Sequence, residues 1–314
     1  MRTNQSLQRP FFLTAALVLA TACADSTSRT EPTMETLVTP QWLSEHLDDP
    51  DLVVLDCTVL IEPDESGGFR SVSGRANYES GHIPSAGFAD LIGDLSDGES
   101  ALQYAVPTPE QFAAAMGALG VGDDSRVVLY DASGSAWAAR VWWMLRWVGF
   151  DRAALLDGGL AAWTAEGRAL STEPPEQPAR TLTPAPRPEL IADRDEVMAA
   201  IDDDAVVIID VLPEAHYSGE MAFYARPGHV RSATNIPVQA LTDESGRYRP
   251  LDELAALFEG GRNARYITYC GGGIAASSSA FIMSRLGFTD VAVYTASLQE
   301  WAADPANPME TGRQ

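Results

Sequence analysis

Basic residues, histidines and cysteines are scarce in this chain, and each scarcity excludes a class of function. The 314 residues carry 21 Lys plus Arg against 44 Asp plus Glu, a formal net charge of −23. Nucleic acid and anionic membrane surfaces would be repelled, so neither is expected as a partner. Four histidines, His46, His82, His216 and His229, are scattered without ligand spacing, and no metal site is read from them. Three cysteines, Cys23, Cys57 and Cys270, are too few for a disulfide framework. Cys57 ends the apolar run 52–57 and reads as a core residue. The N-terminal apolar run 11–20 is too short to span a bilayer as a permanent helix.

That short run has the marks of a targeting segment. Arg2 and Arg9 give it a charged start, and Ala20-Thr21-Ala22 precedes Cys23. The pattern fits an ordinary signal-peptidase site. It also fits an imperfect lipoprotein box in which Cys23 becomes the lipidated N-terminal residue. The lipoprotein reading is favoured, with 1–22 removed and the polar stretch 23–36 as a tether. On either reading the mature protein is expected to be exported by a bacterium, to the periplasm or cell envelope.

The most informative stretch is Cys270-Gly271-Gly272-Gly273-Ile274-Ala275-Ala276-Ser277. It follows the apolar run 266–269, which reads as a buried strand, and precedes a helical pattern over 278–286. A cysteine therefore stands at a strand end, with a glycine-rich turn opening a helix behind it. Such a turn can aim successive N–H groups at one centre, and the helix N-terminus adds partial positive charge. A cradle of this kind lowers a thiol pKa and stabilises an anion on the sulfur. A cysteine phosphatase would need Arg six positions after the Cys, where Ala276 stands. A P-loop would need Lys then Ser or Thr, where Ile274 and Ala275 stand. Both chemistries are disfavoured.

The chain also repeats itself. In the first half a strand 52–56 ends in Asp56. Gly81-His82-Ile83-Pro84 follows, then 127–131 ending in Asp131, then Leu155-Leu156-Asp157-Gly158-Gly159 and Trp163. In the second half 206–210 ends in Asp210, and Gly228-His229-Val230, 266–270, 291–294 and Trp301 follow in the same order. Helical segments are read at 111–119, 138–148, 251–258 and 275–286. Alternating strands and helices predict an α/β fold: two tandem domains, each a parallel sheet with helices on both faces. Ligands collect at the carboxyl ends of such strands, where Cys270 lies. The expected domains are 37–170 and 189–314, joined by the proline-rich linker 171–188. Asp131 stands in the first half where Cys270 stands in the second, so only one unit carries a thiol for chemistry. Trp142, Trp143, Trp163 and Trp301 are read as core.

On these motifs the chain resembles the tandem-domain rhodanese family of thiosulfate and 3-mercaptopyruvate sulfurtransferases, over about 37–312. The carrying elements are Gly81-His82-Ile83-Pro84, Val128-Leu129-Tyr130-Asp131, Leu156-Asp157-Gly158-Gly159-Leu160 with Trp163, Arg226-Pro227-Gly228-His229 with Asn235-Ile236-Pro237, and the Cys270 loop. The resemblance implies a persulfide mechanism. The Cys270 thiolate takes sulfur from a small anionic donor, the loop from Gly271 to Ala275 holds the persulfide, and cyanide or a thiol removes it. It implies no metal and no organic cofactor.

The departures bear on the donor. Thiosulfate-specific members usually carry two cations directly after the Cys, where Gly271 and Gly272 stand. Mercaptopyruvate-type members usually read Cys-Gly-Ser-Gly-Val-Thr, so Gly272 and Ala275 lack that type's hydroxyls. Arg226 matches one of that type's substrate-carboxylate arginines and is the preferred anion site over a surface role. A second expected arginine is absent from Asp210-Val211-Leu212. Arg247 and Arg249 are weaker candidates. His82 matches a histidine that faces the catalytic loop, or else is a structural turn residue. The donor stays open between thiosulfate and 3-mercaptopyruvate, with the charge of −23 leaning towards the monoanion. A sulfur-carrier or partner-binding protein with little turnover is the alternative.

Overall fold

Apolar five-residue runs rich in Val and Ile become central strands here because helices cover both faces of each sheet. The computed structural model describes residues 1–2, 34–64 and 68–313. The expected cleavage and lipidation site at Cys23 lies outside the described residues.

The first domain contributes Leu37–Val38 (β1), Leu52–Asp56 (β2), Val59–Pro63 (β3), Phe69–Ser73 (β4), Gly87–Phe88 (β5), Arg126–Tyr130 (β6) and Ala153–Leu156 (β7). Five of these form a parallel sheet in the order β1-β7-β6-β2-β5. All of β2 is buried, and its register sets Asp56 beside Tyr130. β3 and β4 form a separate antiparallel hairpin that the sequence reading left unassigned.

The second domain repeats the plan with Ile191–Ala192 (β8), Val206–Asp210 (β9), His229–Val230 (β10), Thr234–Asn235 (β11), Arg265–Tyr269 (β12), Asp290–Tyr294 (β13) and Met309–Glu310 (β14). Its parallel sheet runs β11-β9-β12-β13-β8, with Asp210 beside Tyr269. β10 and β14 pair separately. The predicted fold class is the one observed.

Helix bounds differ from the sequence reading for local reasons. The segment read at 111–119 begins at Pro109 because Thr108 and Gln111 close a capping box over it. The helix read over 278–286 runs Ile274–Arg285, opening immediately behind the glycines. The segment read at 251–258 is helical only over Leu251–Ala255.

The domains meet along two helices, Ala136–Trp147 and Ile274–Arg285, and share one apolar core. Trp142 packs edge-on against Phe281, with ring centroids 4.9 Å apart. Arg146 reaches across to the Ser284 hydroxyl at 3.0 Å. Truncating Phe281 would leave a cavity costing about 3–5 kcal/mol, so this seam is structural rather than a hinge. The expected linker 171–188 is strapped to the first domain: Arg180 donates to the Gly117 carbonyl, Ala185 to Val148 and Arg187 to Trp147. It acts as an extended belt with fixed hydrogen bonds.

Candidate active site

Cys270 directly follows β12, at the carboxyl edge of the second sheet, and is 3 % exposed. Its position is fixed from two sides. The Cys270 N–H donates to Ser297 Oγ at 3.1 Å, and that hydroxyl donates to the Tyr294 carbonyl. Leu298 and Gln299 donate their N–H groups to the carbonyls of Cys270 and Gly271, both at 3.1 Å. Behind the loop, the Ser277 hydroxyl donates to the Gly273 carbonyl at 2.7 Å.

Two of the three loop glycines have a stated physical need. Gly273 caps the helix with φ 81°, where a side chain is strained. A Cβ on Gly271 would overlap the Tyr224 hydroxyl. No protein acceptor meets the N–H groups of Gly271, Gly272 or Gly273 among the described residues. With the first-turn N–H groups of Ile274 and Ala275, they leave a run of donors without a protein acceptor directly after Cys270.

The corresponding loop of the first domain shows what such donors do when an anion is built in. Asp131 is buried, and its carboxylate accepts N–H bonds from Ser133 at 2.7 Å, Ser135 at 3.0 Å and Ala138 at 2.9 Å. Burial raises its pKa and those amides oppose the rise. The two loops are tied down alike, since Leu160 donates to the Asp131 carbonyl as Leu298 does to Cys270.

A cavity of about 470 Å³ ends on Gly271 and Gly272. The β3–β4 hairpin supplies Ile61, Phe69, Arg70 and Ser71 to its wall. Tyr104 comes from the first domain, and Phe223, Tyr224 and Gln299 come from the second. Gln299 Nε2 and Oε1 clasp the backbone of Gln103 at 3.0 and 2.9 Å, closing the wall across the domains. Tyr104 and Tyr224 both feel the Cys270 charge, and burial raises both phenols' pKa. Both are therefore neutral O–H donors near neutral pH. The Tyr104 hydroxyl meets the Ser71 hydroxyl, and the Tyr224 hydroxyl lies against Gly271.

The cations near the loop come from elsewhere. Arg140, from the interface helix of the first domain, is fully buried. It donates to the Tyr104 carbonyl at 3.0 Å and lies 3.5 Å from the Gly273 carbonyl. Burial pulls its pKa down to about 10, with Cys270 opposing the fall, so it is a cation at neutral pH. Arg70 lines the cavity mouth in an exposed ion pair with Glu62 at 3.2 Å, a pairing that holds it weakly.

Several candidates are corrected. Arg226 is not an anion site: its guanidinium donates to the carbonyls of Ala302, Asn307, Trp301 and Asp304, closing the segment after the helix Ser297–Trp301. His82 does not face the Cys270 loop. It is buried, stacked 4.0 Å from Tyr78, and bonded to the Tyr78 and Glu173 carbonyls, which pins the belt. Arg247 pairs with Asp157 and Glu166 in the first domain, and Arg249 bonds the Thr242 carbonyl, so both are ties. Cys57 is buried, and burial raises its thiol pKa well above the usual value. Sequence reasoning missed Arg140, Tyr104, Tyr224 and Arg70, because none is near Cys270 in the chain. Trp142-Trp143 had marked Arg140's helix as core without pointing to the cation inside it.

A family model for the rhodanese-like domain matches residues 39–166 and again 193–304. The chain belongs to the rhodanese family. It is 35 % identical to a probable 3-mercaptopyruvate sulfurtransferase of Pseudomonas aeruginosa, over 88 % of this chain and 98 % of that one. It is 32 % identical to the mitochondrial thiosulfate/3-mercaptopyruvate sulfurtransferase 1 of Arabidopsis thaliana, over 89 % and 79 %. The crystal structure of SseA from Escherichia coli, described as a 3-mercaptopyruvate sulfotransferase with the rhodanese fold, superposes with a TM-score of 0.75 at 32 % identity, covering 84 % of this chain and 99 % of that one. This rhodanese is accordingly a sulfurtransferase, with the thiol-bearing loop in its second domain.

Proposed function

We propose that this rhodanese moves sulfane sulfur from a small anionic donor to a thiophilic acceptor through a persulfide on Cys270. The observation that carries the reading is the contrast of the two loops: amides satisfied by Asp131 in one, and without a protein acceptor directly after a thiol in the other. In the first half-reaction the Cys270 thiolate attacks the donor sulfur and an S–S bond forms. With 3-mercaptopyruvate the C–S bond breaks, and pyruvate leaves as its enolate and takes up a proton. With thiosulfate the donor's S–S bond breaks and sulfite leaves. The persulfide anion then rests on the loop amides. In the second half-reaction cyanide or a thiolate attacks the outer sulfur, and the Cys270 thiolate leaves.

3-Mercaptopyruvate is the favoured donor. The chain's charge of −23 repels a dianion more than a monoanion, and the relatives named for 3-mercaptopyruvate point the same way. Arg70 replaces Arg226 as the side chain suited to meet the donor's charge at the cavity mouth. Steady-state assays with each donor and cyanide, on wild type and Cys270→Ser, test the reading. Higher kcat/KM with 3-mercaptopyruvate, and none with Cys270→Ser, is expected. Near-normal turnover by Cys270→Ser would remove the mechanism. Single loading without turnover would favour the carrier alternative.

Export with lipidation at Cys23 is part of the same proposal. Membrane fractionation and N-terminal mass analysis of the native protein should find a lipidated Cys23. A soluble, unmodified N-terminus at that site would favour simple signal-peptide removal.

A further inference from the structure

Arg140 presents an energetic problem that the persulfide scheme does not by itself resolve. It is the one arginine buried at 0 % exposure among the described residues. Two partly buried arginines are matched to acids, Arg126 to Asp49 and Asp51 and Arg265 to Glu196 and Asp290, while the partly buried Arg226 is held by four backbone carbonyls. Arg140 has no carboxylate within ion-pair distance among the described residues, and its Nε has no acceptor. Its polar contacts are the Tyr104 carbonyl and, at 3.5 Å, the Gly273 carbonyl. The Trp143 ring, 4.9 Å from the guanidinium carbon, offers a further weak attraction. All 21 basic residues of the chain are arginines, so neutralisation by proton loss is not an inexpensive way out. An unmatched buried cation destabilises a fold, whereas an apolar side chain of similar volume would not.

The charge is placed where an anion comes and goes. Among the described residues, groups that feel the charge of Cys270 include Arg140, from the interface helix, Tyr104, from the segment before Thr108, and Tyr224, from the loop before Arg226. The two phenols are neutral at working pH, so Arg140 is the cation of the set. It reaches the loop at Gly273, where a Cβ would lie 3.0 Å from its Nη1.

We propose that Arg140 is a positioning residue that the first domain lends to the catalytic loop of the second, serving as the buried counter-charge of the Cys270 thiolate and persulfide. This rests on Cys270 being the nucleophile. Each time Cys270 ionises or takes up sulfur, the buried cation gains its counter-ion. The domain without a thiol is then part of the electrostatics of sulfur transfer, which explains why the two units share one core instead of hinging.

The test is the pH dependence of Cys270 alkylation by iodoacetamide, followed by peptide mass on the full chain. This readout needs no sulfur donor and so separates the inference from the persulfide reading: Cys270 modified but never sulfur-loaded would sink that reading alone. Arg140→Met should stay folded, with an unchanged or higher Tm. Its alkylation profile should move up by about one pH unit, with a roughly tenfold slower reaction below the midpoint. Arg140→Gln, which keeps donors for the two carbonyls but not the charge, should behave like Arg140→Met. Arg140→Lys should recover part of the shift. A folded Arg140→Met or Arg140→Gln with the wild-type profile would overturn the proposal. Failure of both to fold would also overturn it, by assigning the guanidinium to the architecture alone.

Discussion

In the first domain the loop after β6 closes around Asp131; in the second the loop after β12 closes around Cys270. Much of what surrounds them is the same. Tyr130 and Tyr269 end their strands beside Asp56 and Asp210, and each accepts a backbone N–H on its hydroxyl, from Ile83 and Val230. Tyr78 stacks on His82 and Tyr217 on His229, with each histidine bonded to its tyrosine's carbonyl. The loops differ in length as well as in residue, since Ser135 caps the helix four positions after Asp131 and Gly273 three after Cys270. A carboxylate on a short side chain can satisfy its own loop's amides, and that loop then has nothing to offer a ligand. A thiol at the same strand end leaves the amides without an acceptor, and Arg140 and Tyr224 approach the loop from neighbouring elements. The two units differ at this strand end in the residue itself and in the loop that follows it, Ala132-Ser133-Gly134-Ser135 against Gly271-Gly272-Gly273.

The largest break in this comparison should come from Gly271. Gly271→Ala pushes a methyl group into the Tyr224 hydroxyl and must displace either that side chain or the loop. A shift of about 1 Å in a reacting group can cost on the order of a hundredfold, so kcat/KM should fall by about that factor. Tyr224→Phe in the same chain should recover part of it, because the overlapping oxygen is gone. Equal kinetics for wild type and Gly271→Ala would mean the loop is not held as described.

The mirror-image change is Asp131→Ala. It leaves three N–H groups of the first loop without their acceptor. Urea denaturation should show a loss of about 3 kcal/mol, with sulfur transfer per folded molecule near wild type. Lost activity in a stable protein would show that the first loop takes part in the reaction.

How far the sequence already told this story depends on distance along the chain. The duplication, the strand-end position of Cys270 and its replacement by Asp131 are local patterns, and they read directly. Arg226 was misread for an instructive reason. Its place beside a family motif suggested an anion, but its acceptors lie at 301–307, and only folding brings those carbonyls around it. His82 was likewise poised between two roles until the belt residue Glu173 supplied its second partner. Arg140, Tyr104 and Tyr224 reach the loop through interdomain packing and loop placement, for which no spacing rule exists. The β3–β4 hairpin, which walls the cavity with Phe69 and Arg70, carries no catalytic motif at all.

A smaller effect concerns the paired aspartates. Asp210 is buried, accepts the Leu212 N–H at 2.8 Å, and burial raises its pKa from the usual 3.8 to about 7. The folded state therefore holds a proton that the unfolded chain releases. Stability from this group is complete below about pH 4 and is lost as pH rises towards 7. Asp56 is shifted in the same direction by burial and adds to the slope. In urea melts at about pH 5 and about pH 8, Asp210→Asn should lose less stability on going to the higher pH than wild type does. An identical pH slope in the variant would place the titrating group elsewhere.

The central claim is that sulfur is carried on Cys270 and on no other residue. Intact-protein and peptide mass spectrometry after incubation with 3-mercaptopyruvate or thiosulfate, without an acceptor, tests it directly. The account predicts a gain of one sulfur atom confined to the Cys270 peptide, retained in Cys57→Ser, absent in Cys270→Ser, and discharged by cyanide. A sulfur adduct on Cys57, or turnover with no adduct on Cys270, would contradict it.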